Sequence, residues 1–244
     1  MEFTYKGYAD LISLLKQQNY QFTNYRNYKD VAQSVIIRHD VDNSLEMALK
    51  IAELENQLGI RATFFILLST NFYNILSKSS SEILKKILNL NHEIGLHFDE
   101  KRYKIDSKEE LEHNIEYEKR IVEDILKTAI DVVSMHRPSK WVLEGDIHFK
   151  NIINSYSKEF FQECKYLSDS RMHWREDVVR IVENREFKRL QILTHPFWYS
   201  AETGDIRERV GEFIKKANIE RYCHMKENIS DIESIIKEGE FICR

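Results

Sequence analysis

Proline and glycine are scarce in this chain, with two prolines and seven glycines among 244 residues. That excludes collagen-like and low-complexity sequence and leaves no flexible linker to mark a second domain. Cysteine is scarce as well. Cys164, Cys223 and Cys243 stand far apart with no CxxC pair, which argues against a disulfide framework and leads to the expectation of a reducing, cytoplasmic compartment. No apolar run approaches the roughly 20 residues of a bilayer span. Met1 to Gly7 lacks the charged start and apolar core of a secretion signal. A charge excess of either sign is also missing. With 36 Lys and Arg against 40 Asp and Glu, the net charge of -4 gives no sign of a nucleic-acid partner.

What is present is enough apolar sequence, 42% of residues, to build a sizeable core. The expectation is a single domain over residues 1–244, with its motif-bearing core at about 34–200, a helix before it and a helical segment after it. Two kinds of segment alternate. Short β-branched runs read as buried strands at Ser34 to Ile37, Ala62 to Leu68, Glu93 to Leu96, Asp131 to Met135 and Leu190 to Leu193. Weaker strand candidates are Lys165 to Leu167 and Val178 to Val182. Helical patterns cover Asn43 to Leu58, Ser81 to Leu90, Ser107 to about Lys127 and Asp205 to about Lys237, the last broken near Asn228 to Ser230. Pro138 and Pro196 each follow a strand and a basic residue, so each ends its strand. Alternation of this kind predicts a parallel sheet covered by helices, either a (β/α) barrel or a doubly wound sheet, with the barrel preferred.

Chemistry-bearing residues collect where those strands end. His39-Asp40-Val41-Asp42, His97-Phe98-Asp99, His136-Arg137, Asp169 and His195 each follow a predicted strand. In barrels and open α/β sheets the C-terminal strand ends face the active site. Carboxylates and imidazoles together suit a divalent metal, zinc first, with cobalt or nickel as alternatives. Asp40 and Asp42 share strand parity, so both can point into one site. One can hold metal while its neighbour takes a proton from an attacking water, and His195 can serve as the acid for the leaving group. Plainer roles compete at each position. Asp42 can cap the helix that follows it, His39 can be a strand-end hydrogen bonder, Arg137 can be an ion-pair partner, and Trp174 can be core. His113, His148 and His224 read as surface or packing residues, and the three cysteines as inert.

The order of these motifs resembles the polysaccharide deacetylase group, the NodB-homology or carbohydrate esterase family 4 proteins. Ile36 to Asp42 is similar to the group's first motif, His92 to His97 to its second, Arg137-Pro138 to its third and Leu193-Thr194-His195 to its fifth. The resemblance implies a distorted (β/α) barrel of about seven parallel strands and a metal-dependent removal of an acyl group, most simply acetyl, from an amino sugar. It gives Asp40 the role of base, Asp42 and His97 those of metal ligands, Arg137 that of holding the base, and His195 that of the acid. The group's second metal histidine falls on Lys101, which is a donor only when protonated and cannot ligate. Asp99 is the nearest substitute, sharing parity with His97, and His136 is the other candidate. Trp174 and His136 are assigned to the substrate wall. The expected substrate is a small-molecule sugar or a lipid- or nucleotide-linked one, as in surface polysaccharide synthesis. Two rivals stand beside this reading. One is a carbohydrate-binding barrel without catalysis, which Lys101 favours. The other is a phosphohydrolase, which the His39-Asp40 pair suggests.

Overall fold

A computed structural model describes residues 1–240. Cys243 lies outside the described residues. The chain divides into two compact units, one over residues 1–201 and one from Glu202 onward.

The first unit runs α1 (Tyr5–Gln17), β1 (Gln21–Thr23), β2 (Ser34–Val41), α2 (Leu45–Gln57), β3 (Thr63–Leu67), α3 (Lys78–Asn89), β4 (Glu93–Phe98), α4 (Lys108–Leu126), β5 (Val132–Met135), α5 (Lys140–Glu144), β6 (Ile153–Asn154), β7 (Lys165–Ser168), α6 (Val178–Glu183) and β8 (Arg189–Thr194). Seven strands follow one path, β6-β5-β4-β3-β2-β8-β7, and short β1 pairs with the first residues of β2. Every pairing is parallel. The result is a curled half-barrel with flanking helices, the distorted (β/α) barrel that the motif resemblance implies and the preferred one of the two architectures that the strand–helix alternation allows.

Parallel strands covered on both faces bury every residue, and β2 is buried along its whole length. Side chains on alternate residues then enter two different cores. Val35, Ile37 and Val41 join the large core between sheet and helices with Ile12, Ala48, Ile51 and Leu84. Ile36 faces the barrel interior with Tyr25, Phe65, Val132 and Phe160. The interior is tight. A Cβ on Gly95 would meet the Phe65 ring at 2.6 Å, so β4 needs a glycine there.

Local chemistry sets the helix ends. Ser44 accepts from Met47 N to start α2, which stops at Gly59 with φ 65°. Ser107 accepts from Glu110 N to start α4, and Glu110 reaches back to Asp106 N at 2.7 Å. The strand expected at Val178 to Val182 is instead helix α6. Asp177 caps it by accepting from Arg180 N, and Val178, Ile181 and Val182 form a helical apolar face. A run of five residues, four of them β-branched, gave no period long enough to show this.

In the second unit, α7 (Ile206–Asn228) opens with a full capping box between Asp205 and Glu208. Helix α7 gives way to a turn at 229–231 before α8 (Ile232–Ile235), near the break read at Asn228 to Ser230. Among the described residues no helix is long and apolar enough to cross a membrane.

Candidate metal centre and catalytic groups

Strand β2 continues four residues past the Ser34 to Ile37 run, so Arg38, His39 and Asp40 are themselves strand residues. Arg38 and Asp40 share the interior face. The Arg38 guanidinium, fully buried, gives Asp40 three hydrogen bonds: Nε to Oδ1 at 3.2 Å, Nη2 to Oδ1 at 2.9 Å and Nη2 to Oδ2 at 2.8 Å. It also donates to Ser155 Oγ at 3.1 Å and to Ser134 Oγ, and it lies 4.9 Å from the Phe65 ring centroid. Burial pushes the Asp40 carboxyl up, but the Arg38 charge, with His97 and His195 behind it, holds it below its usual value. Asp40 is therefore ionised at neutral pH.

His39 points the other way. Its Nδ1 meets Thr194 Oγ1 at 2.7 Å and its Nε2 meets Glu55 Oε1 at 3.0 Å, beneath α2. Glu55 also accepts from Tyr8 OH at 2.5 Å. His39 and Asp40 thus serve opposite faces of the sheet and do not form one paired site. His92 is buried too, accepting from Ala62 N at Nδ1 and donating from Nε2 to Ala52 O. That fixes a neutral ring.

Just beyond β2, Asp42 meets two imidazoles. Its Oδ1 lies 3.2 Å from His97 Nε2, at the end of β4, and 3.4 Å from His136 Nδ1, after β5. The two ring nitrogens are 3.2 Å apart. One ligand atom from each of Asp42, His97 and His136 lies within 4.8 Å of the other two. Burial pushes Asp42 up, yet the two imidazoles hold it well below the usual carboxylate range. Its Oδ1 is buried without an aligned hydrogen bond. A buried acceptor left unpaired between two ring nitrogens is costly for protein alone and is what a divalent cation satisfies. The oxygen and nitrogen donor set fits zinc, cobalt or nickel.

Asp99 stands outside this cluster. β4 ends at Phe98, and Asp99 caps the 3₁₀ turn Glu100–Arg102, accepting from Lys101 N at 3.1 Å. Its Oδ2 accepts from Arg137 Nη2 at 2.7 Å. The arginine that the resemblance gives to the base is thus on Asp99, while Arg38, unremarked in the sequence, is on Asp40.

His195 follows β8 and is set by Asp169, which follows β7. Asp169 is fully buried. Its Oδ1 lies 2.6 Å from His195 Nδ1, both its oxygens accept from His195 N, and Tyr199 OH donates to Oδ2 at 3.0 Å. Burial pushes His195 down, but Asp169, followed by the charges of Asp42 and Asp40, lifts it to about 9. With Nδ1 occupied, Nε2 is the atom able to give a proton.

Trp174 is partly buried against the large core, with its indole Nε1 buried and lacking a hydrogen-bond partner. Cys164 is buried, which raises its thiol to about 11, and Cys223 is a free exposed thiol. Cys164 thus lacks the lowered pKa of a nucleophile.

No family model matches the chain, and no curated protein matches it. Solved structures with a similar fold include a CE4 family pseudoenzyme from Bacillus anthracis, 18% identical over 76% of this chain and 63% of that one, with a TM-score of 0.44. They also include a family 4 acetyl xylan esterase from Clostridium thermocellum in complex with a cobalt ion, 12% identical over 66% and 73%, TM-score 0.42. A third is the chitin deacetylase from the fungal pathogen Colletotrichum lindemuthianum, 14% identical over 75% and 81%, TM-score 0.45. The chain spans less than two thirds of the length of the first of these.

Proposed function

We propose that the chain is a metal-dependent hydrolase that removes an acyl group, acetyl in the simplest case, from the nitrogen of an amino sugar. The observation that carries this is the convergence, at the C-terminal strand ends, of a held base, a three-donor cluster and a held acid. Asp42, His97 and His136 would hold a divalent cation, zinc first and cobalt or nickel as alternatives. Such an ion supplies Lewis-acid polarisation of the acyl carbonyl and stabilises the charge that develops on its oxygen.

The chain's own groups divide the proton transfers. Asp40, ionised and fixed by Arg38, takes a proton from the attacking water as its oxygen bonds to the acyl carbon. His195, protonated and fixed by Asp169, gives the proton from Nε2 to the amide nitrogen as the carbon–nitrogen bond breaks. The products are a carboxylate and the free amine. Arg38 and Asp169 are positioning residues, since each acts through its partner group, Asp40 or His195. A small-molecule or a lipid- or nucleotide-linked sugar is the substrate class proposed, and the cytoplasm the proposed location.

A second reading is a barrel that binds sugar without turning it over. It is favoured by His97 Nδ1, which is buried with no hydrogen-bond partner, whereas metal-holding histidines usually donate from that second nitrogen. Acetate release from a panel of N-acetylated sugars by the zinc-supplied protein separates the two readings. Turnover that falls at least 100-fold in Asp40→Asn, with metal retained, supports the hydrolase. Full turnover in Asp40→Asn would sink the assignment of the base.

A further inference from the structure

With Arg38 on Asp40, Arg137 has no base to hold. Its surroundings are nevertheless built with care. It lies between His136, a donor of the metal cluster, and Pro138, with φ 52° in the left-handed region, which disfavours a residue bearing a Cβ. The buried Glu100 keeps the backbone there by accepting from Ser139 N and, at 2.8 Å, from Ser139 Oγ. Strain maintained in this way is found most often at functional positions. The side chain is fixed too, through Nη2 to Asp99 Oδ2 at 2.7 Å, and Asp99 is itself held by Lys101 N. That bond uses one of five guanidinium N–H donors, and the Arg137 side chain is 59% exposed. The Asp99 charge offsets one cation. Lys101 is exposed, has no carboxylate partner among the described residues, and lies in the 3₁₀ turn that follows β4, the strand paired with β5.

Resting on the deacylase reading of the site, we propose that Arg137 and Lys101 form a subsite for phosphate on the substrate. The substrate class is then an N-acyl amino sugar bearing a phosphate or a diphosphate ester. The guanidinium's forked donors match two phosphate oxygens, and the Lys101 ammonium adds a point charge. The nucleoside diphosphate and lipid diphosphate forms share this chemistry.

The test is calorimetric binding to zinc-supplied protein of N-acetylglucosamine, its 1-phosphate, its uridine diphosphate ester and a short polyprenyl diphosphate ester. Wild type is expected to bind the 1-phosphate at least tenfold tighter than the neutral sugar. In Arg137→Gln the ratio is expected to fall within threefold, and Arg137→Lys to retain part of it. Any phosphate contact with the metal is common to both proteins, and elemental analysis confirms equal metal content. The two diphosphate esters show which carrier adds affinity. An unchanged ratio in Arg137→Gln, or no preference in wild type, overturns the subsite. A phosphate preference without acetate release from any sugar keeps the subsite and defeats the deacylase reading; acetate release without the preference does the reverse.

Discussion

Arg38 lays its guanidinium across both carboxylate oxygens of Asp40, two residues away on the same face of the same strand, at 2.8 to 3.2 Å. The proposed base and the group that holds it thus come from one strand. Both are buried, so removing one partner strands an uncompensated charge. Arg38→Met is expected to destabilise the fold by about 3 kcal/mol. Arg38→Met combined with Asp40→Asn is expected to cost clearly less than the sum of the two single changes. Denaturant unfolding of the four proteins in the cycle reads the coupling, and simple additivity would contradict the pairing.

The Asp169–His195 pair gives a pH dependence with a definite sign. The folded-state pKa of His195, about 9, is above its ordinary value of 6.5. Its contribution to stability is therefore complete below about 6.5 and is lost as pH rises through about 9. In Asp169→Asn the main raising charge is gone. The His195 pKa, followed by NMR on metal-free protein, is expected to fall by at least one unit, and the alkaline limb of turnover to move to lower pH with it. A His195 titration that did not respond to Asp169→Asn would contradict the role of Asp169.

Glu118 on α4 adds a second loss of stability with rising pH, here from a buried acid. Its pKa is pushed up to about 7 by burial, against Tyr103 OH at 2.8 Å and Arg102 at 3.9 Å. An acid raised in the folded state is destabilising once ionised, so stability falls as pH rises from about 4.5 to about 7. Glu118→Gln is expected to stabilise the protein by about 1–2 kcal/mol at pH 8 and by nothing at pH 4. Thermal melts at the two pH values check this.

Gly95 tests the packing of the interior. Gly95→Ala would drive a methyl into the Phe65 ring at 2.6 Å. The expected cost is about 1–3 kcal/mol. Gly95→Ala made together with Phe65→Leu should recover part of it.

The barrel was legible because its strands are short apolar runs that end on polar motifs. His39-Asp40-Val41-Asp42 and His97 mark their strand ends in sequence as they do in space. The three-donor cluster was less legible. Strand parity places Asp99 beside His97 only while the strand continues, and β4 stops at Phe98 because Asp99 turns to cap the next residues. His136, one residue past β5, reaches Asp42 instead. Arg38 shares parity with Asp40 and Asp42, so a signal was present. A buried arginine beside a β-branched run still gives no sign of its surroundings, since Ser134 and Phe65 come from other strands and Ser155 from the turn after β6. Asp169 likewise shows its purpose only when β7 is set beside β8.

The central claim is a cation held by Asp42, His97 and His136. The most direct measurement is metal content by elemental mass spectrometry after zinc loading and desalting, for wild type, Asp42→Ala, His97→Ala, His136→Ala and Asp99→Asn. The account predicts about one ion per chain in wild type and in Asp99→Asn, with loss in the other three. No ion in wild type, or loss in Asp99→Asn with retention in His136→Ala, would contradict it.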